Sequence, residues 1–313
     1  MKLALLLPDL RRLQGLSAEH QVWRWLGRAD TTRPFVPASE GSQALFDVIP
    51  KDFSAAAVSR LADVGDAAMN VWLRADPCWL QPDMHALRMM AWSRMQLSLD
   101  QAEHLAAALR PLFGDAGIEF SIAHPDRWYL KLPMGSEPPE FVSPDRVLGE
   151  DIEGHLPGGN SGLRWRRLLN EAQMSLHEHP VNRQRAQAGL APVNSVWFWG
   201  AGRLPNRVRT DYAAFHSDEP VLRGLALRAD KHVEAVPDRL PQTLPCNSVF
   251  DLREQGVDRL AANWLEPAYR LLQSGAVSEW VLLFADGPQF SLKHSQRWRF
   301  WRRPLAPSAD TIR

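Results

Sequence analysis

Residues 3–7 form an unbroken apolar run, LALLL, closed by Pro8. A run this short, without alternation, predicts a strand buried on both faces, as in a parallel sheet. Asp9 then falls at the strand's carboxyl end. Helical spacing follows over residues 19–27, ending at a glycine, and again over 54–61. Between them, DTTRPFVPASEGS at 30–42 is rich in Pro, Ser and Thr and reads as loop. Alternation over 69–74 predicts a strand that Asp76-Pro77 stops, and a second strand is predicted over 85–92. Ser98 with Gln101 is a capping box. It opens a helix carrying Ala102, Leu105, Ala106, Leu109, Leu112 and Phe113, closed by Gly114. Ile118, Phe120 and Ile122 alternate, HPD turns, and Trp128, Leu130 and Leu132 alternate again, which predicts a strand pair.

Residues 133–162, rich in Pro, Gly, Ser and acid, read as a long loop or a domain crossing. Helices are predicted over 163–177 and 181–188, separated by Pro180, with Gly189 as the second helix's cap. A buried strand is predicted over 193–199, closed by Gly200 and Gly202. Helices over 221–229 and 258–273 and a buried strand over 281–284 complete the pattern, the last running into Asp286 and Gly287. Strands and helices alternate through most of the chain. This predicts an α/β protein with a mostly parallel sheet, interrupted by a strand–helix–hairpin block.

The bulk numbers exclude more than they specify. The 313 residues suffice for one large domain or two smaller ones. Lysines and arginines number 36, as do acids, so no global basic field points to nucleic acid. The exceptions are RWRR at 164–167 and RWRFWRR at 297–303. They read first as solvated faces or ion pairs, although aromatics alternating with arginines are also able to stack bases. Cys78 and Cys246 lie too far apart for a disulfide framework or a zinc ribbon and fit a reducing compartment. The apolar start is too short for a signal peptide, and no run approaches the roughly 20 apolar residues that span a bilayer. A cytoplasmic location is expected.

In open α/β sheets ligands sit beyond the carboxyl ends of the strands. Asp9 and Asp286 both fall there, as a metal pair, an acid/base pair, or caps of the following turns. His177 and His179 flank Glu178 at a helix end, where the helix dipole already favours them over metal binding. Gly200 and Gly202 after a strand would let a backbone approach a phosphate, or simply make a tight turn. No nucleophile elbow, zincin, P-loop or Cys-x-x-Cys motif is present.

One run is more distinctive: His179-Pro180-Val181-Asn182, Arg185, Gly189, Pro192, Asn194, then the aromatic strand to Gly202. It resembles a segment of the archaeal-type cofactor-independent phosphoglycerate mutases, within the alkaline phosphatase superfamily. The likeness extends weakly over most of the chain. RADPCWLQPD at 74–83 is also similar to an element of bacterial regulatory proteins of the RpfE type. The resemblance implies an alkaline-phosphatase-like, mostly parallel sheet sandwiched by helices, with a smaller inserted α+β domain. It assigns 1–70 and 190–313 to the core and 71–189 to the insert and its return helices.

It further implies two divalent cations held by Asp and His, and a Ser or Thr nucleophile. Asp9 matches the first metal aspartate by position. Ser42 lies at the nucleophile element, with Gln43 replacing its aspartate. Asp286 matches the aspartate of a late Asp-His pair, with Gly287 replacing the histidine, and His294 matches a later His-Ser element. The middle motif falls near Asp251 and Asp258, with no histidine following either. At least two ligands are therefore missing. The expected metal set shrinks to Asp9, Asp286 and His294 around at most one Mn, Mg or Zn ion. Asn182, Arg185, Gly202 and Arg203 are the expected ligand-binding residues. Two functions follow as alternatives. One is a catalytically degenerate regulatory protein that binds a phosphorylated metabolite or a protein partner, with neither membrane nor nucleic acid involved. The other is an active phosphomutase or phosphatase using Ser42.

Overall fold

A computed structural model describes residues 1–32, 44–84, 86–244 and 246–305. In chain order the chain forms β1 (Lys2–Leu7), α1 (Gln21–Arg28), β2 (Asp30–Thr32), β3 (Asp47–Ile49) and α2 (Ala55–Asp63). Next come β4 (Val71–Asp83), β5 (Ala86–Trp92), α3 (Leu99–Asp115), β6 (Glu119–His124) and β7 (Arg127–Leu132). Helices α4 (Gly159–His177) and α5 (Pro180–Gln187) lead to β8 (Ser195–Gly202), β9 (Arg207–Arg209), β10 (Ala214–His216), α6 (Pro220–Arg228), β11 (His232–Glu234) and β12 (Ser248–Asp251). The chain then forms α7 (Val257–Leu260), α8 (Glu266–Ser274), β13 (Glu279–Phe284) and β14 (Gln289–Lys293).

The residues fall into two compact units, Met1–Val48 with Arg207–Arg313, and Ile49–Asn206. The first holds a seven-stranded sheet in the order β11-β10-β12-β1-β13-β14-β2. Its first five strands run parallel, and β14 is antiparallel. Leu3 to Leu7 are all buried, as the unbroken apolar run predicts for a strand flanked on both sides. Leu3, Leu5, Phe250, Trp280 and Leu282 pack with Trp23 and Trp25 of α1 and with Trp264 and Tyr269.

The helix expected over 258–273 is interrupted. Between α7 and α8, Ala261–Leu265 form a π-helical turn. Pro267 cannot donate to the Asn263 carbonyl and its ring crowds that group. The carbonyl instead accepts from the Leu240 N–H at 3.0 Å.

The second unit holds an antiparallel sheet, β5-β4-β7-β6, with β8 also paired to β4. Its core joins Leu73, Ala75, Leu130, Val196 and Phe198 to apolar faces of α3 and α4. The Ser98–Gln101 capping box forms as expected, with Ser98 Oγ accepting from the Gln101 N–H at 3.1 Å. Asp76-Pro77 does not stop β4, which continues to Asp83. On one edge β4 pairs with β7 up to Arg74 and with β5 from Cys78. Pro77 falls between those partners, where a missing N–H costs least.

Strand β8 also departs from expectation. It was expected to return to the main sheet, but it pairs antiparallel with β4 in the second unit. The unit boundaries accordingly lie at 48/49 and 206/207, not at 70/71 and 189/190. Burial does not say which sheet a strand joins, so this was not readable from the pattern. No helix among the described residues is long and apolar enough to cross a membrane.

Candidate functional site

The parallel sheet brings the ends of β11, β10, β12, β1 and β13 to one edge in that order. Along it lie Glu234; then His216, Ser217 and Glu219; then Asp251 and Arg253; then Asp9; then Asp286. Asp286 and Asp9 do come together. Asp286 Oδ1 accepts from the Leu10 N–H at 3.0 Å, which ties the end of β13 to the turn after β1. Partial burial, and then the charge of Asp9, raises the Asp286 carboxyl above the usual range.

His294 does not join them. It follows Lys293, which pairs with Glu279 at the amino end of β13, whereas Asp286 follows the carboxyl end. A six-residue strand, roughly 17 Å at the usual rise, separates the two edges. The His294 Nδ1 is bonded to the Leu272 carbonyl at 2.7 Å. The single-cation set of Asp9, Asp286 and His294 is therefore not assembled, because β14 runs antiparallel and carries His294 back across the sheet. Ser42 lies in 33–43, outside the described residues.

The centre of the edge is more ordered than the sequence suggests. Asp251 ends β12 with its side chain 7% exposed. Arg253 grips it with a two-pronged ion pair, Nε to Oδ1 and Nη2 to Oδ2, each 2.7 Å. Ser217 Oγ donates to Asp251 Oδ2 at 2.8 Å. Glu219 caps α6, accepting from the Val221 and Leu222 N–H groups at 2.9 and 2.7 Å. Arg223 Nη1 donates to the Ser217 carbonyl at 2.9 Å. His216 stacks on Phe250 with centroids 4.3 Å apart, its Nδ1 3.5 Å from Glu234. Burial lowers the His216 pKa, and neighbouring Glu234 opposes that shift.

Among the described residues, no group of three or more His, Cys, Asp or Glu side chains is arranged to hold a metal ion. The donor set also does not fit the implied two-cation centre. Asp9 and Asp286 supply two carboxylates, and both oxygens of Asp251 already face a guanidinium.

Three of the four expected ligand-binding residues have other occupations. Asn182 Nδ2 donates to the carbonyls of Leu176 and Val193, and its Oδ1 accepts from the Val193 N–H, all at 2.8 Å. Arg185 is 0% exposed. Its guanidinium donates to the carbonyls of Ala191, Gln96 and Met95 and to Gln101 Oε1. Burial lowers its pKa.

Gly202 (φ 133°) and Gly200 (φ 68°) do permit a close backbone approach. The approaching group is this chain's own α2: a Cβ on Gly200 would lie 3.0 Å from Ala55 Cβ, and Ser54 Oγ donates to the Gly200 carbonyl at 2.6 Å. Arg203 alone of the four stands exposed.

His179 caps α5, its Nδ1 accepting from the Val181 N–H at 3.3 Å. Asn194 bonds both ways with Leu80, at 2.8 and 2.7 Å. The most distinctive run in the sequence is thus a set of structural staples within the second unit. The residues missed by sequence reasoning are Ser217, Glu219 and Arg253. Signals existed for two: Glu219 before Pro220 is a helix start, and Asp251-x-Arg253 is the spacing that puts two side chains on one face of a strand.

The fold defines the class, a mixed α/β protein with a mostly parallel central sheet. A protein of Pyrococcus horikoshii shares the fold, with a TM-score of 0.50 and 14% identity, over 93% of this chain and 87% of that one. No family model matches the chain. Its relatives among curated sequences are 2,3-bisphosphoglycerate-independent phosphoglycerate mutases. One from Methanosarcina barkeri is 32% identical over 145 residues, 44% of this chain and 36% of that protein. A protein of Geobacter sulfurreducens described as a probable enzyme of this kind is 29% identical over 160 residues, 51% of this chain and 38% of that protein. The aligned stretches therefore span well under half of those relatives' length.

Proposed function

We propose that this chain is a catalytically degenerate phosphoglycerate-mutase-like protein that acts in regulation, through binding. The observation that carries the reading is the ion pair at Asp251. Phosphoryl transfer by divalent cations needs carboxylates free to ligate them. Here the most buried carboxylate of the strand-end edge, Asp251, is neutralised by Arg253, and the two remaining aspartates lack a third ligand among the described residues. Calorimetric titration with Mn²⁺ or Zn²⁺ is expected to show no tight uptake of two cations per chain. Two tightly bound cations would refute the proposal.

The internal roles of Asn182 and Arg185 leave a phosphorylated metabolite few of its expected contacts and favour a protein partner. The motif at 297–303 supports that preference. Arg299 donates to the Arg28 carbonyl and Asp30, Arg302 to the Ala29 carbonyl, and the Leu305 N–H to the Trp23 carbonyl. Gly27 lies against the Arg303 carbonyl with no space for a Cβ. The segment is held on α1 and the residues after it by Arg299 and Arg302, while Trp298, Phe300 and Trp301 are 63%, 78% and 68% exposed. Aromatics of this kind anchor protein interfaces. Two of the guanidinium groups that nucleic acid would need, those of Arg299 and Arg302, are already engaged.

A second reading, an active metal-dependent phosphatase or phosphomutase with Ser42 as nucleophile, is favoured by one observation, the pairing of Asp9 with Asp286. It predicts Mn²⁺-dependent hydrolysis of an aryl phosphate by the wild type, lost in Ser42→Ala. No hydrolysis, or hydrolysis that survives the substitution, eliminates it.

A further inference from the structure

We infer that the segment following β14 is a docking surface for a short acidic segment of another protein. Trp298, Phe300 and Trp301 are its anchors, and Arg24 and Arg303 stand at its rim. The inference rests on the binding role proposed above and names the chemistry of the partner.

The surface is built, not frayed. Buried Gln296 donates from Nε2 to Asp30 Oδ2 at 2.6 Å and accepts from the Lys293 N–H at 2.9 Å, which fastens the turn after β14. The Arg299 N–H donates to the Gln296 carbonyl at 3.0 Å, and the Phe300 N–H to the Trp298 carbonyl at 2.8 Å. Arg302 and Leu305 then hold the chain to α1 and the residue after it, so the backbone over 298–301 is anchored on both sides. Phe300 and Trp301 meet edge to face, with ring centroids 5.4 Å apart. Rigid aromatics lose little conformational entropy on binding, which suits them as interface anchors. At roughly 150–250 Å² per aromatic side chain, three that stand mostly exposed offer on the order of 400 Å². That is about half of the ~800 Å² that one side of a standard interface buries, so the patch fits a short segment better than a whole globular face.

Charge selects the partner. Residues 293–305 hold one lysine and four arginines and no acid, within a chain whose formal net charge is zero. Asp30 is taken up by Arg299 and Gln296. Arg303 is exposed. Arg24, also exposed, stands one turn before Gly27, the residue that lies against the Arg303 carbonyl. No carboxylate among the described residues pairs with either arginine. A positive rim around an apolar centre attracts acidic partners and repels basic ones. It also argues against a second copy of this chain on the same surface, because a two-fold contact would set the cations of one copy against those of the other.

The test uses the full chain and a fluorescein-labelled peptide of four Glu-Glu-Leu repeats, with fluorescence anisotropy as the readout. The wild type is expected to bind it at least about tenfold more tightly than peptides of four Lys-Lys-Leu or Ser-Ser-Leu repeats, and less tightly as salt rises. Phe300→Ser and Trp301→Ser should each weaken binding about tenfold or more. Arg303→Glu should weaken it and flatten the salt dependence. All three variants should keep the wild-type melting temperature, because the replaced side chains stand exposed. Equal affinity for the three peptides, or binding that survives both aromatic substitutions, overturns the inference. Capture of the wild type but not of Trp301→Ser by phosphatidylserine vesicles, without binding of the acidic peptide, also overturns it and assigns the patch to a membrane surface. Each of these failures leaves the degenerate reading standing, and tight uptake of two cations by the wild type is the separate result that defeats that reading.

Discussion

Asp76→Ala should be the most damaging single substitution outside the hydrophobic core, costing about 3–5 kcal/mol of unfolding free energy. Asp76 is 0% exposed. Five donors converge on its carboxylate: Arg74 Nε and Nη2, the indoles of Trp92 and Trp199, and the Trp128 N–H, at 2.7–3.3 Å. Arg74 is itself 3% exposed, lies between the Tyr129 and Trp199 rings and donates to Ser59. Truncating the acid leaves a buried guanidinium without its counter-charge and two indole N–H groups without their acceptor. Urea unfolding followed by tryptophan fluorescence measures the effect. A loss under about 1 kcal/mol, the range of an exposed ion pair, would contradict it. Replacing both partners together, Arg74→Met with Asp76→Leu, should cost less than Asp76→Ala alone, because no isolated charge remains buried.

Arg185→Ala should come second, at about 3–4 kcal/mol, because each buried acceptor left unmatched costs on the order of 1–3 kcal/mol and relaxation recovers part of that. Three carbonyls and the Gln101 side chain lose their donor together. Gln101 also closes the α3 capping box, so the helix start loosens as well. Arg185→Lys should rescue little, since an ammonium on a flexible stem does not span acceptors that a planar fork reaches. The same melts decide between the two roles considered for this residue. An anion-binding arginine would leave the unfolding midpoint nearly unchanged, whereas a structural one lowers it sharply.

These two arginines show where local reading stopped. Both stand in recognisable elements, RADP at 74–77 and the HPVN run at 179–182 with Arg185 after it. Such motifs invite a binding role. Their burial follows from contacts distant in sequence: Arg185 meets Met95 and Gln96, and Asp76 meets Trp199. Those contacts exist because β4 carries β7, β5 and β8 as neighbours at once. The Arg253 pair was more accessible. Its spacing follows from strand geometry, and what hid it was that the short strand β12 was not predicted.

By itself the sequence determined most of the longer elements and their type, but not the short strands β10, β11, β12 and β14. A continuous apolar run gives a doubly buried parallel strand, a Ser-x-x-Gln box starts α3, and Pro180 opens α5, because each depends only on side chains within a few residues. It also put Asp9 and Asp286 at the carboxyl edge of the sheet, since both directly follow buried apolar runs, and the adjacency of β1 and β13 then brought them together. Tertiary structure alone decided which sheet β8 joins, and that β14 carries His294 to the edge opposite the two aspartates. It also decided that Asn182 and Arg185 bind their own backbone. Strand order and direction are set by long-range packing of faces that look alike in sequence, and the position of a site is set by strand direction.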